Sequence, residues 1–160
     1  MKIYFNNSLR DDLALPATGG GWLLGDGAFE SLRTYSGRAF ALEQHLDRLE
    51  QTLNELKIAA PTRAQLVQGV EETIAANPAT PFGRLRITVF GDGNWMVTHI
   101  EYKPETRFLK LSLSPIKRYS LDLTSGIKTI SYQASAVALR QAASKGFDDA
   151  VFINEQGEVM

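Results

Sequence analysis

Two cationic side chains stand where chemistry is easiest to imagine. Lys128 sits in Ile127-Lys128-Thr129-Ile130, among β-branched neighbours. Such surroundings partly desolvate an amine, and desolvation disfavours the ammonium form, freeing a nucleophile that can condense with a carbonyl. A strand-edge lysine with its stem on apolar surface and its head in water fits the same spacing. Arg48 lies in a leucine-studded stretch and carries a planar fork suited to phosphate or carboxylate. By position alone its default reading is an arginine on the solvated face of a helix. His45 and His99 are far apart with no ligand spacing around them, so no metal site is expected. There is no Walker loop, no HExxH and no GxSxG. Gly25-Asp26-Gly27 lacks the third glycine of a dinucleotide fingerprint and leads into a strand-like run, so alone it reads as a turn.

The elements that must position these residues are legible from periodicity. Lys2 to Asn6 is β-prone, and Pro16 with Gly19-Gly20-Gly21 breaks the chain before Trp22. Ala28 to Tyr35 is strand-like, and Ser36-Gly37 turns it into Arg38-Ala39-Phe40. Leu42, Leu46, Leu49, Leu53 and Leu56 recur at steps of four and three, predicting one apolar helical face. Thr62-Arg63-Ala64-Gln65 is a capping-box pattern opening a second helix, which carries Leu66, Val70 and Ile74 inward and ends at Asn77-Pro78. Leu85, Ile87 and Val89 alternate, as do Leu109, Leu111 and Leu113, with Gly91-Asp92-Gly93 as a turn between. Residues from about Ser120 to Ser125 form a linker, and a short apolar segment runs from Gly126 to Ile130. A helix over Gln133 to Lys145 is closed by Gly146, and a strand from Ala150 to Asn154 meets a turn at Glu155-Gln156-Gly157.

Composition narrows the class of function. The 160 residues are 44% hydrophobic and 22% charged, with net charge −1 and no cysteine. That balance suits a folded domain, or a domain and part of another, with no general attraction to nucleic acid and no disulfides or thiolate metal sites. The N-terminus has no signal-peptide core and no stretch reaches membrane-spanning length, so a cytoplasmic protein without nucleic-acid or membrane partners is expected.

The run Gly25-Asp26-Gly27-Ala28-Phe29-Glu30-Ser31-Leu32-Arg33, followed by Glu43-Gln44-His45-Leu46-Asp47-Arg48-Leu49, resembles the pattern that opens the class IV aminotransferases. So do Gly126-Ile127-Lys128-Thr129-Ile130-Ser131-Tyr132, the helix Ala136 to Ala142, Gly146-Phe147-Asp148-Asp149-Ala150 and Gly157-Glu158-Val159. The resemblance covers essentially the whole chain in order. It implies a fold-type IV, D-amino-acid aminotransferase-like architecture: an α+β N-terminal domain over residues 1–118, then the start of a second α/β domain over 119–160, shorter than the family's full length. It implies pyridoxal 5'-phosphate as cofactor, held through a Schiff base on Lys128, which also shuttles protons at the substrate α-carbon. Arg48 would bind the phosphate and Tyr132 the ring oxygen, with Glu30 and Asp47 supporting Arg48 and His45 structural. The family glutamate that pairs with the pyridine nitrogen would fall just after Met160. On that ground the 160 residues alone are expected not to turn over substrate.

For the reaction, the resemblance offers 4-amino-4-deoxychorismate lyase and the branched-chain or D-amino-acid aminotransferases. Phe29 stands where D-amino-acid aminotransferases carry a tyrosine, Leu24 where branched-chain enzymes carry one, and phenylalanine is common in the lyases. Arg86 is either a carboxylate-binding residue or an arginine on a strand surface. The lyase is the preferred reading and an aminotransferase using a keto-acid acceptor the alternative, with an inactive dimerising module as a third. A small-molecule substrate and a homodimer are implied. An apolar face around Val137, Leu139, Val151 and Ile153 is expected to need covering.

Overall fold

The computed structural model describes residues 1–13, 18–122 and 124–160, so the expected break at Pro16 and one linker residue, Leu123, lie outside the described residues. In chain order the elements are β1 (Ile3–Phe5), β2 (Ser8–Arg10), α1 (Gly20–Leu24), β3 (Gly27–Tyr35), β4 (Arg38–Ala39), α2 (Leu42–Leu56), α3 (Arg63–Ala76), β5 (Phe82–Phe90), β6 (Trp95–Glu101), β7 (Leu111–Leu113), α4 (Gln133–Ser144) and β8 (Asp149–Val151). Two compact units result. One holds Met1–Pro104 with Lys128–Ser131, the other Glu105–Ile127 with Tyr132–Met160. The units part at Pro104, whereas the sequence-based boundary stands at 118. The intervening segment carries β7, whose hydrogen-bonding partner β8 comes from the end of the chain.

The first unit is a six-stranded sheet in the order β2-β1-β6-β5-β3-β4, every neighbouring pair antiparallel. Alternation along β3 and β5 sends Ala28, Leu32, Leu85, Ile87 and Val89 to one face, against α2 and α3. Leu46, Leu49 and Leu53 of α2 are fully or almost fully buried there, and burying each contributes about 1.5–3 kcal/mol. Leu42 and Leu56 pack at the edge of the same cluster. In α3, Leu66 and Val70 are buried and Ile74 partly so. The capping box at its start forms as expected: Thr62 Oγ1 accepts from the Gln65 N–H at 3.3 Å, and Gln65 Oε1 accepts from the Thr62 N–H at 2.9 Å.

Four details depart from periodicity. Gly20 and Gly21 open the short helix α1 rather than a plain break. Strands β2 and β6 carry little alternation of their own and are fixed by pairing with β1 and β5. Gly126 to Ile130 is not a strand; only an isolated bridge, Ala28 to Thr129, forms there. Of the Leu109-Leu111-Leu113 alternation only Leu111–Leu113 is a strand, and all three leucines are exposed.

In the second unit β7 and β8 pair in parallel and α4 packs on β8. Arg107 grips Asp148 through both terminal nitrogens, at 2.9 and 2.7 Å, and the Lys110 N–H adds a third bond at 2.7 Å. The Arg107 bonds first, then that backbone bond, hold the Asp148 carboxyl far below the usual carboxylate range. The hairpin around Gly157 closes with a single bridge, Ile153 to Val159. Val137, Val151 and Ile153 are half-buried and Leu139 is exposed. Among the described residues no helix is long and apolar enough to cross a membrane, and no group of three or more His, Cys, Asp or Glu is placed to hold a metal ion.

Candidate active site

Strand β3 organises the site because its successive side chains point to opposite faces of the sheet. Phe29 lies on the face away from the helices and Glu30 on the helix-packed face; both are buried. Each gathers one of the two cations singled out in the sequence.

On the Phe29 side, residues 128–130 run along the edge of β3. The Phe29 N–H donates to the Lys128 carbonyl at 3.0 Å, and the Ile130 N–H donates to the Gly27 carbonyl at 3.0 Å. These bonds fix the backbone of a lysine that no regular strand contains. Ser131 locks the segment further: its hydroxyl donates to the Gly25 carbonyl at 2.8 Å. Gly25 there has φ of +66°, and a Cβ would come within 2.9 Å of Ser131 Oγ, so the first glycine of the motif is required by conformation and by space. Lys128 Nζ then lies 4.4 Å from the centroid of the Phe29 ring, and the Arg86 guanidinium lies 3.6 Å from the same centroid. Arg86 Nε also donates to Thr88 Oγ1 at 3.2 Å, which sets the plane of the fork. An amine and a guanidinium therefore share one aromatic wall.

On the Glu30 side, α2 presents His45 and Arg48, three residues apart and so on one helical face. Arg48 Nε donates to Glu30 Oε1 at 2.6 Å and Nη2 to Oε2 at 2.7 Å; His45 Nδ1 lies 2.8 Å from Oε2. Burial alone would raise the Glu30 pKa, but the bonds from Arg48 and then His45 outweigh it and hold the carboxyl below its ordinary value. An ionised carboxylate only accepts, so the hydrogen on this bond belongs to His45 Nδ1. The 3.3 Å approach of Arg48 Nη2 to that nitrogen is then a contact between two donors. Bonding to Glu30 raises the Arg48 pKa, so its charge is permanent. With Nε and Nη2 committed, Nη1 of this half-exposed side chain has no protein acceptor among the described residues.

The structure thus brings Lys128, Phe29 and Arg86 together and ties Arg48 to the adjacent residue of the same strand. Tyr132 belongs to the second unit, where it caps α4 and, with Ser135, Leu139 and Phe152, lines a cavity of about 370 Å³. One expectation is corrected. Asp47 does not support Arg48; it pairs with Arg63, which also takes Glu43 at 2.6 Å and Glu50 at 3.1 Å, because the helical turn points Asp47 towards the start of α3. The His45 contact to Glu30 is a feature the motif did not announce, although its spacing to Arg48 was the available signal.

The family model for amino-transferase class IV matches residues 27–160. The chain belongs to the class IV aminotransferase family. A Methanocaldococcus jannaschii protein provisionally named a branched-chain-amino-acid aminotransferase is 28% identical over all of this chain and 62% of its own length. A Mycobacterium tuberculosis bifunctional aminodeoxychorismate lyase / D-amino acid transaminase is 27% identical over 85% of the chain and 54% of its own. A solved structure provisionally named a 4-amino-4-deoxychorismate lyase superposes with a TM-score of 0.82 at 27% identity, covering 93% of this chain and 62% of that one. The chain therefore spans a little over half the length of the relatives it matches. Class IV aminotransferases depend on pyridoxal phosphate. The donors here fit that group: a primary amine for an aldehyde, and an arginine whose remaining fork nitrogen is turned to no protein acceptor.

Proposed function

We propose that this chain carries the lysine-bearing part of a pyridoxal-phosphate enzyme acting on an amino-bearing small acid, with 4-amino-4-deoxychorismate lyase as the preferred reaction. The observation that supports the reading is the sharing of the buried Phe29 ring by Lys128 and Arg86. In this reading Lys128 holds the cofactor and moves a proton at the substrate α-carbon, Arg48 takes the phosphate, and Tyr132 bonds the ring oxygen. Arg86 receives the substrate carboxylate against the apolar wall of Phe29, so that the reacting carbon is held in place rather than sampled. Bound, the cofactor supplies an electron-accepting ring that stabilises charge at that carbon. The protein's own part is to hold the amine, orient the acid and exclude water.

Phenylalanine at position 29, with no hydroxyl to offer a substrate carboxylate, favours the lyase, and the likeness to the bifunctional lyase/transaminase supports it. The aminotransferase alternative draws on the relative that matches the chain end to end. A lyase releases pyruvate from aminodeoxychorismate with no keto-acid acceptor, whereas an aminotransferase requires one. In either case the working form is a homodimer, and light scattering showing a stable monomer would count against that. The decisive experiment mixes the chain with pyridoxal phosphate, reduces with borohydride and maps the label. Fixation at position 128, lost in Lys128→Ala, is expected; a colourless mixture with no label there refutes the reading.

A further inference from the structure

At the far end of β3 from Phe29, a buried histidine stands beside a cleft. Thr34 lies five residues past Phe29, about 17 Å along the strand, and on the opposite, helix-packed face. There its Oγ1 lies 2.8 Å from Nε2 of His99 on β6. His99 is only 4% exposed, and Gly83 stands against the Nε2–Cδ2 edge of its ring. Burial lowers the His99 pKa, so the imidazole is neutral at pH 7 and holds one ring hydrogen. Thr34 is fully buried, and its hydroxyl has no other acceptor among the described residues, so it donates to Nε2. The ring hydrogen then belongs to Nδ1, at the opposite edge. Among the described residues Nδ1 has no protein partner, and the fully enclosed side-chain atoms without one are the Tyr4 hydroxyl and Arg33 Nη1. Nδ1 is therefore an unmet donor that opens on the cleft His99 lines.

That cleft measures about 470 Å³ and is lined by the Ser36-Gly37 turn, the end of α3 and residues 77–81. Its volume is in the range of small-molecule sites. Ile74, Ala75, Pro78, Ala79 and Pro81 make its walls apolar, and among the described residues none of its lining side chains is charged. Its other polar side chains are already engaged or lie at the rim. Asn77 Oδ1 accepts from the Lys2 N–H at 2.9 Å, and its amide donates to the Lys2 and Thr73 carbonyls at 2.9 and 2.8 Å. Thr80 Oγ1 donates to the Phe82 carbonyl at 2.9 Å, and Ser36 is exposed at the turn. The same bonds hold the wall in place at its start, and the Ser36 N–H fastens its end by donating to the Pro81 carbonyl at 3.0 Å. What remains is a preformed, uncharged, apolar space faced by one N–H without an acceptor.

We propose that this cleft is a binding site for a small uncharged molecule with an apolar body and one acceptor oxygen, to which His99 Nδ1 donates its hydrogen. A charged ligand would lose its hydration and find no counter-ion in the lining. A hydrocarbon covers the walls but leaves Nδ1 unmet, whereas a carbonyl oxygen on an apolar body satisfies both. None of the lining residues belongs to the group around Lys128, Phe29, Arg86 and Arg48, so the site stands apart from the reaction proposed above.

The test needs no cofactor. Acetophenone, ethylbenzene and benzoate have similar bodies but carry a carbonyl, no acceptor and a charge respectively. Each is titrated into the isotope-labelled 160-residue chain at pH 7. Calorimetry reads affinity, and long-range proton–nitrogen NMR of the imidazole reads the two ring nitrogens of His99 separately. Acetophenone is expected to bind about fivefold more tightly than ethylbenzene, a typical yield of one neutral hydrogen bond, and to move the Nδ1 resonance more than Nε2. Benzoate should move neither. His99→Phe erases the acetophenone preference, and Ala75→Leu, a larger side chain on the exposed wall, weakens both neutral ligands. If His99→Phe fails to fold, the ring-nitrogen shifts of the parent decide. Equal affinity for acetophenone and ethylbenzene, a preference that survives His99→Phe, full binding in Ala75→Leu, or an unmoved Nδ1 overturns the assignment. So does a His99 ring signal that changes when the free chain is diluted, which would make a second copy of the chain the occupant of the cleft.

Discussion

Replacing Glu30 by glutamine keeps the shape of a fully buried side chain and removes its charge. Three bonds converge on the carboxylate, two from Arg48 and one from His45. The glutamine oxygen can keep the bond from Arg48 Nε. Its amide N–H can donate to His45 Nδ1 once the ring hydrogen moves to Nε2. What cannot be rebuilt is the bond from Arg48 Nη2, because the amide nitrogen facing it has no acceptor to offer. Bonds to charged groups contribute about 1.5–3 kcal/mol each. Two effects pull the net cost towards the lower end: the burial penalty of the carboxylate disappears, and the Arg48 side chain, 53% exposed, regains water. We expect Glu30→Gln to lose about 1.5–2 kcal/mol at pH 7, a fall in Tm of about 5 °C for a chain of this length.

The pH dependence gives the sharper check. Glu30 has a folded pKa below its ordinary value of 4.5, so its contribution is complete above about pH 4.5 and is lost as pH falls through the folded value. The gap between parent and variant should be full at pH 7 and narrow below pH 4.5. Urea unfolding followed by tryptophan fluorescence at several pH values measures both. An unchanged midpoint at pH 7, or a gap that stays constant into acid, refutes the reasoning. The same substitution frees Arg48 to rotate, so the phosphate of pyridoxal phosphate should bind less tightly while borohydride still finds Lys128.

Gly83→Ala should cost about 1–3 kcal/mol, because its Cβ would overlap His99 Nε2 and Thr34 Oγ1, which are hydrogen-bonded across the buried sheet face; thermal unfolding reads the loss. Thr62→Ala should cost about 1 kcal/mol by removing the capping oxygen of α3, with Thr62→Ser nearly neutral in urea titrations. Burial lowers the His99 pKa below 6.5, so the stability contributed by its neutral ring is present above that pH and is lost as pH falls through the folded value. A proton NMR titration of the ring should find its midpoint below 6.5, and His99→Gln should flatten that part of the stability profile.

Much of the fold was legible because each element obeyed one period. The leucines of α2, the capping box of α3 and the Ser36-Gly37 turn after β3 needed no tertiary information, since local chemistry and amphipathic spacing agreed. Strands β2 and β6 were not legible, because their place is set by partners rather than by their own pattern. At the site, Lys128 and Arg48 could be named from motif and neighbours, but not what holds them. The edge bonds to β3 and the buried Glu30 are long-range contacts that spacing does not encode. Asp47 shows the limit in the other direction. Adjacent to Arg48 in sequence, it points a helical step of about 100° away and serves Arg63 instead.

Strand parity makes the site more fragile than its contact distances suggest. Phe29, Ser31 and Arg33 share one face while Glu30, Leu32 and Thr34 share the other, and both sets are specified by nine consecutive pairings of β3 with β5. A slip of one residue would carry Glu30 to the arginine face and Phe29 to Arg48, exchanging every cation's partner at once. The sheet resists that slip because Ala28 and Leu32 must meet the leucines of α2, and because Gly27 and Gly25 are fastened to residues 130 and 131. Core packing and edge bonding thus fix the same register independently. An insertion of one residue within β3 should therefore abolish Lys128 labelling even in a protein that still folds, whereas an insertion at the exposed Ser36-Gly37 turn, beyond the last of those pairings, should leave it intact.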